Sequence, residues 1–240
     1  MITKLLTYGD SFTAGDGIDP QYAWPNYLGK MTGLEVDNRG LPGGSNKLSI
    51  IKMMNDLGSL TGHDNLLVGF SWTSASRTCF YNTCWKNVLP HWDDKDDRVN
   101  VFSQAYYGAV YTEVDALFEL ISQQIFVSSF LRERNIKFFF INSMRDINID
   151  YVVYLKTKEK QNLEQIKEHE SFLNEYKNLI NLVDKTKYVL GYDHSIKEDY
   201  CDALNMYCDD GHHPSYDAHN MVAARIFWFL HDNKILIQQQ

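Results

Sequence analysis

At 240 residues and 27.9 kDa, with 44% apolar and 22% charged residues, the chain is long enough for one sizeable core and has the balance of a globular protein. A net charge of −8 argues against a protein that grips nucleic acid through its phosphates, which takes a basic face to displace counterions. The cysteines Cys79, Cys84, Cys201 and Cys208 are too few to staple a chain of this size, so free thiols are expected.

No Pro- or Gly-rich linker divides the sequence, so residues 1–240 are read as one domain. Ile2 to Tyr8 is an apolar run that reads as a strand and leads directly into Gly9-Asp10-Ser11, leaving no room for a cleavable leader. No stretch approaches the roughly 18 to 20 apolar residues that span a bilayer, so no transmembrane segment is expected. A cytoplasm or a phage particle would both suit such a chain. A second strand, Leu34 to Asp37, is followed by the glycine-rich loop Asn38-Arg39-Gly40-Leu41-Pro42-Gly43-Gly44-Ser45-Asn46. A third, Asn65 to Trp72, precedes Ser74 to Asn100, an aromatic excursion with little periodicity whose charge run Asp93-Asp94-Lys95-Asp96-Asp97-Arg98 reads as a solvated tip. Apolar spacing at Val110, Val114, Leu117, Phe118, Ile121 and Ile125 predicts one long helix from about Ser103 to Arg134. The unbroken run from Ile136 to Asn142 predicts a strand covered on both faces. A helix over about Lys160 to Val183 follows, and a closing helix is expected from Pro214 to near Phe229. Strands alternating with helical segments predict an α/β protein with a parallel sheet.

In open α/β sheets ligands gather at the carboxyl ends of strands, which places Ser11 at a cleft. A serine there is a weak nucleophile until a base takes its proton, and Asp210-x-x-His213 offers an imidazole with a carboxylate to orient it. The glycines after the second strand let backbone amides approach a ligand, and Gly40 can offer one to a developing oxyanion. Arg77 can meet an anionic group on a substrate, and Trp72, Trp85, Trp92 and Tyr81 can form a platform for a sugar ring. Cys208, Asp210, His212, His213, Asp217 and His219 together contain every ligand type zinc accepts, but not at the spacing of a zinc ribbon or finger, so no metal and no cofactor is expected.

Taken together, Gly9-Asp10-Ser11, Asn38-x-Gly40, the glycine of the third strand and Asp210-x-x-His213 resemble the SGNH hydrolases, also called the GDSL esterase and lipase family. The resemblance runs over nearly the whole chain in the family's order. It implies a flavodoxin-like three-layer α/β/α sandwich with a mainly parallel sheet, Ser11 as nucleophile, His213 as base and Asp210 as its orienting carboxylate. It also implies an oxyanion hole built from the Ser11 amide, Gly40 and an asparagine after the third strand. Here Gly69-Phe70-Ser71-Trp72-Thr73 departs from the family: Ser71 stands in the asparagine's place and is the expected substitute, with Asn46 or Thr73 able to swing in. Asp10, Asn46, Trp72, Thr73 and Arg77 are expected to contact substrate. The activity so implied is ester hydrolysis through an acyl-enzyme, with the polar, aromatic excursion favouring small acyl groups, chiefly acetyl, on a carbohydrate. A lipase or thioesterase of the same family, or a glycan-binding module that has lost turnover, are the alternatives. The partner is then a small-molecule or glycan ester and not nucleic acid, and oligomeric state stays open.

Overall fold

A computed structural model describes residues 1–60, 62–90, 93–144 and 174–236. In chain order the strands are β1 (Lys4–Tyr8), β2 (Glu35–Asn38), β3 (Leu66–Trp72), β4 (Thr78–Asn82), β5 (Cys84–Val88) and β6 (Lys137–Asn142). Four of them form a parallel sheet in the order β2-β1-β3-β6, while β4 and β5 pair as a separate antiparallel hairpin. Beyond β6 the sheet is extended by a parallel bridge from Tyr188 to Phe140. The chain leaves β1 for β2 on one side and returns to β3 on the other. That reversal falls at the carboxyl ends of β1 and β3, the place where an open α/β sheet binds its ligands.

Strand side chains alternate between two cores. Leu6, Tyr8, Val68, Phe70, Trp72, Phe138 and Phe140 face one way, onto α3 (Asn46–Gly58) and α5 (Glu113–Glu133). Leu5, Leu67, Phe139 and Ile141 face the other, onto α2 (Trp24–Thr32) and α6 (Tyr216–Asp232), which pack against each other. Each fully buried aromatic or leucine in these layers contributes about 1.5–3 kcal/mol relative to exposure. The result is a parallel sheet with helices on both faces, as the sequence predicts.

Several boundaries differ from expectation. The single helix expected from Ser103 to Arg134 is two: α4 (Asp97–Ala105) runs into a π-helical turn, Tyr106–Val110, and α5 starts afresh at Glu113. The cause is a cap that apolar periodicity does not register. Thr112 Oγ1 accepts the Asp115 amide at 3.1 Å and donates to the Asp115 carboxylate at 2.8 Å, fixing a new helix start. Val110, counted among the apolar positions, is exposed. The excursion after β3 contains the β4–β5 hairpin, and its acidic run is a helix start, with Asp96 capping α4 through the Arg98 amide. The closing helix begins after Pro214 with Ser215 as its cap, and Pro214, held in a bridge to Tyr207, is not its first residue. Helix α5, at 21 residues, is long and apolar enough to cross a membrane by length and composition, contrary to expectation, yet it buries Leu117, Leu120, Ile121, Val127 and Leu131 against the sheet. Of the helix expected over Lys160 to Val183, residues 174–180 are helical and 160–173 lie outside the described residues.

Candidate active site

Ser11 is the first residue of α1 (Ser11–Ala14), a single turn that begins where β1 ends. Its amide stands at a helix start, where no intrahelical acceptor exists. The preceding Asp10 caps the turn through the Phe12 amide at 3.1 Å. The same carboxylate accepts from Ser143 Oγ at 2.8 Å, Thr73 Oγ1 at 2.6 Å and Arg77 Nη1 at 3.3 Å. It is completely buried. A buried carboxylate is tolerable when its lone pairs are filled and a cation balances it, and this one has both. Asp10 therefore ties the Ser11 turn to the ends of β3 and β6 and has no surface to give a substrate, which corrects the expectation of substrate contact.

The glycine loop is set by Asn38. Its Oδ1 accepts from the Gly40 amide at 3.0 Å and from Thr7 Oγ1 at 3.1 Å, while its Nδ2 donates to the Thr13 carbonyl at 2.8 Å. Gly40 lies flat on α1: a Cβ there would fall 2.3 Å from the Ala14 nitrogen and 2.7 Å from the Thr13 carbonyl carbon. Glycine is required by that close approach.

Across the cleft, the turn before α6 holds the proposed base. His213 Nδ1 meets Asp210 Oδ2 at 2.6 Å. Asp210 Oδ1 accepts from Cys208 Sγ at 3.0 Å, the His212 amide at 2.8 Å and the His213 amide at 3.0 Å, which leaves Oδ2 to the imidazole. The Cys208 thiol and His213, followed by the two amides, hold the Asp210 carboxyl well below the usual carboxylate range, so it is ionised at neutral pH. Two contacts join this turn to that of Ser11. The Phe12 and His213 rings meet edge to face at 6.0 Å. Gly17, at φ +85°, sits so close that an added Cβ would lie 2.4 Å from Cys208 Sγ and 3.1 Å from Asp210 Oδ2. Asp16 belongs to this junction too: burial pushes its carboxyl up, with the charge of His213 opposing in part and Asp10 and Asp210 adding to the rise.

The remaining expected residues are placed less simply. Ser71 is fully buried, and its Oγ lies 2.6 Å from Ser143 Oγ, whose own proton goes to Asp10. The Ser71 hydroxyl proton is thereby directed at Ser143 and away from the crevice, which corrects its expected role as an oxyanion donor. Trp72 is buried against Phe70 and Phe140, with ring centroids at 4.3 and 5.4 Å, so its ring offers no face to a sugar. Asn46 clamps the backbone of Thr73 from both sides, donating to its carbonyl and accepting its amide, each at 2.9 Å. Thr73 in turn gives its hydroxyl proton to Asp10. Tyr81 and Trp85 form an exposed cross-strand pair on the hairpin, and Trp92 lies outside the described residues.

His219, one of the zinc-type residues, is buried in α6, where its Nδ1 accepts the Trp24 amide at 3.2 Å and so caps α2. Burial, then the charge of His213, pushes it down to about 4, which keeps it neutral. Among the described residues no group of three or more His, Cys, Asp or Glu is arranged to hold a metal ion. Ser143 and Asp16 are site neighbours that sequence reasoning missed, and Cys208, weighed there only as a metal ligand, is instead a donor to Asp210. Ser143 follows the carboxyl end of β6 and Cys208 precedes Asp210 by two residues, and both positions are signals in themselves.

No family model and no curated protein matches the sequence. By fold the chain is similar to a protein described as lipolytic and of the G-D-S-L family from Desulfitobacterium hafniense, at 15% identity and a TM-score of 0.50, covering 95% of this chain and 99% of that one. It is similar likewise to TesA, at 15% identity and a TM-score of 0.52, covering 95% of this chain and 98% of that one. The fold is that of the SGNH hydrolases. At these identities the likeness is one of architecture, and the chemistry has to be argued from the residues of this chain.

Proposed function

We propose that the protein is a serine ester hydrolase of the SGNH family. The observation that carries this reading is the Asp210–His213 pair at 2.6 Å, joined to the Ser11 turn through Phe12 and Gly17. Ser11 Oγ attacks the ester carbonyl carbon as His213 takes its proton, and the carbonyl π electrons move to oxygen. Collapse of this intermediate expels the alcohol, which leaves with the proton from His213, and water repeats the sequence to release the acid. Asp210, ionised throughout, holds the imidazole in the tautomer that presents its other nitrogen to Ser11.

The substrate class this reading favours is a carbohydrate ester with a small acyl group. In support, a cavity of about 780 Å³ next to Ser76 on the loop after β3 carries Asn100, Gln104, Tyr107, Tyr111 and Glu113 on its wall, side chains able to hydrogen-bond a sugar; it neighbours Arg77 in sequence and is not lined by Ser11, Asp210 or His213. Incubation with p-nitrophenyl acetate and a fluorophosphonate probe is the test. Hydrolysis and labelling should both vanish in Ser11→Ala, and a Ser11→Ala protein as active as the parent would refute the nucleophile. An acetylated-oligosaccharide panel run beside an acyl-chain-length series then tests the substrate class. The burial of Ser71 favours a second reading, a glycan-binding module without turnover, in which the parent itself shows neither hydrolysis nor labelling.

A further inference from the structure

If Ser11 is the nucleophile, a tetrahedral intermediate forms beside it whose oxygen carries a full negative charge. The side chains and loop amides expected to meet that charge are already engaged. The Ser71 proton goes to Ser143, that of Thr73 goes to Asp10, Asn46 is buried against the Thr73 backbone, and the Gly40 amide is given to Asn38. Arg77 is different. Its Nη1 touches Asp10 Oδ2 at 3.3 Å and the Gly44 carbonyl at 3.4 Å, so its head group lies between the nucleophile turn and the glycine loop. Those two segments are themselves in contact, with the Leu41 amide donating to the Gly9 carbonyl at 2.9 Å.

A guanidinium has five donors in a planar fork. At Arg77, Nη2 reaches the Met144 thioether at 3.6 Å, a weak acceptor, so the fork has capacity beyond the two contacts of Nη1. In the ion pair, Asp10 is wholly buried while the arginine side chain is 11% exposed, so Arg77 is the member of the pair with surface to offer a ligand. The charge of Asp10 is shared with Thr73, Ser143 and the Phe12 amide, so the arginine is not its sole counterpart.

From this arrangement we infer that Arg77 is a catalytic residue that holds the oxyanion, taking the part of the asparagine that the sequence lacks after β3. This rests on the reading of Ser11 as nucleophile. As Ser11 Oγ bonds to the carbonyl carbon and its proton passes to His213, the π pair arriving on oxygen is met by an Arg77 N–H beside the Ser11 amide. When the intermediate collapses the pair returns to the C=O bond and the contact weakens. An interaction stronger in the transition state than in bound substrate lowers kcat when removed and leaves KM nearly unchanged.

The experiment compares the parent with Arg77→Gln, Arg77→Lys and Ser11→Ala, using p-nitrophenyl acetate and an alkyl trifluoromethyl ketone, which adds to the serine and presents an oxyanion. Arg77→Gln should lose about 10²-fold in kcat with KM little moved, and inhibition by the ketone should weaken by a similar factor. Arg77→Lys keeps the charge beside Asp10, so it should fold even where the glutamine variant does not. It lacks the planar fork, so it should retain part of kcat, with ketone affinity falling in parallel. Variants that fold, with kcat and ketone affinity at parental levels beside an inactive Ser11→Ala, overturn the assignment of Arg77 and leave the nucleophile standing. A loss of stability with no selective loss of ketone affinity reduces Arg77 to a structural partner of Asp10 and also overturns it. Ser11→Ala hydrolysing like the parent instead overturns the esterase reading beneath it.

Discussion

His219 gives the structure a calculable dependence on pH. Its ring is buried, spends Nδ1 on the Trp24 amide, and is pushed from its ordinary 6.5 down to about 4. Above pH 6.5 the group is neutral in both the folded and the unfolded chain, and its contribution to stability is complete. Below 6.5 the unfolded chain takes up a proton that the folded chain refuses, so stability falls with acidification until the folded group titrates near 4. At about 1.4 kcal/mol per pH unit, that interval is worth about 3 kcal/mol. A His219→Gln variant can still accept the Trp24 amide through its side-chain carbonyl but cannot titrate. Unfolding by urea should therefore be followed for both proteins at steps from pH 7.5 to 4. The other titrating groups are common to the pair and drop out of the difference. The stability of the parent relative to the variant should decline by about 3 kcal/mol from neutral pH to pH 4, nearly all of it below 6.5. Parallel curves would refute both the neutral state and the burial argument behind it.

Two substitutions probe the two sides of the crevice. Gly40→Ala drives a methyl group into the Thr13–Ala14 backbone, which has no side chain able to move aside, so about 1–3 kcal/mol of stability should be lost; thermal unfolding should show a midpoint lower by several degrees, and ester hydrolysis should fall as the loop shifts. Cys208→Ala removes one of the donors to Asp210 Oδ1 and should slow p-nitrophenyl acetate hydrolysis about two- to tenfold, whereas Cys208→Ser supplies a hydroxyl donor and should remain close to the parent. Equal rates for the alanine and serine variants would show that the thiol does not orient Asp210.

What could be read from the sequence follows from how local its physics is. The four strands of the parallel sheet were legible because runs such as Phe138-Phe139-Phe140-Ile141 are apolar on both faces, whereas the β4–β5 hairpin has no such run; the Asp210–His213 contact was legible because a single turn joins the two residues. Asn38 and Gly40 are likewise two residues apart and bonded to each other. The third wall of the crevice was not legible. Matching the family pattern by position put Ser71 where an asparagine was expected, but β3 continues to Trp72, and pairing with Ile141 keeps Ser71 inside the sheet. The bonds of Asp10 to Thr73, Arg77 and Ser143 cross 63, 67 and 133 residues, and no periodicity reports such contacts. The break between α4 and α5 was missed for the opposite reason, since Thr112-x-x-Asp115 is a local signal that a long apolar rhythm obscured.

The contact of Gly17 with Cys208 and Asp210 has a consequence for the chain while it is being made. Ser11 comes off the ribosome some two hundred residues before His213, whose turn is anchored by α6. On the proposed reading, Ser11 has no base and the nascent chain turns nothing over until that helix has left the ribosome and docked on α2. Should α6 later detach, the carboxylate and imidazole leave with it while β1 and its serine stay in the sheet. Hydrolysis would then be switched off by the undocking of one helix, well before the protein as a whole has unfolded.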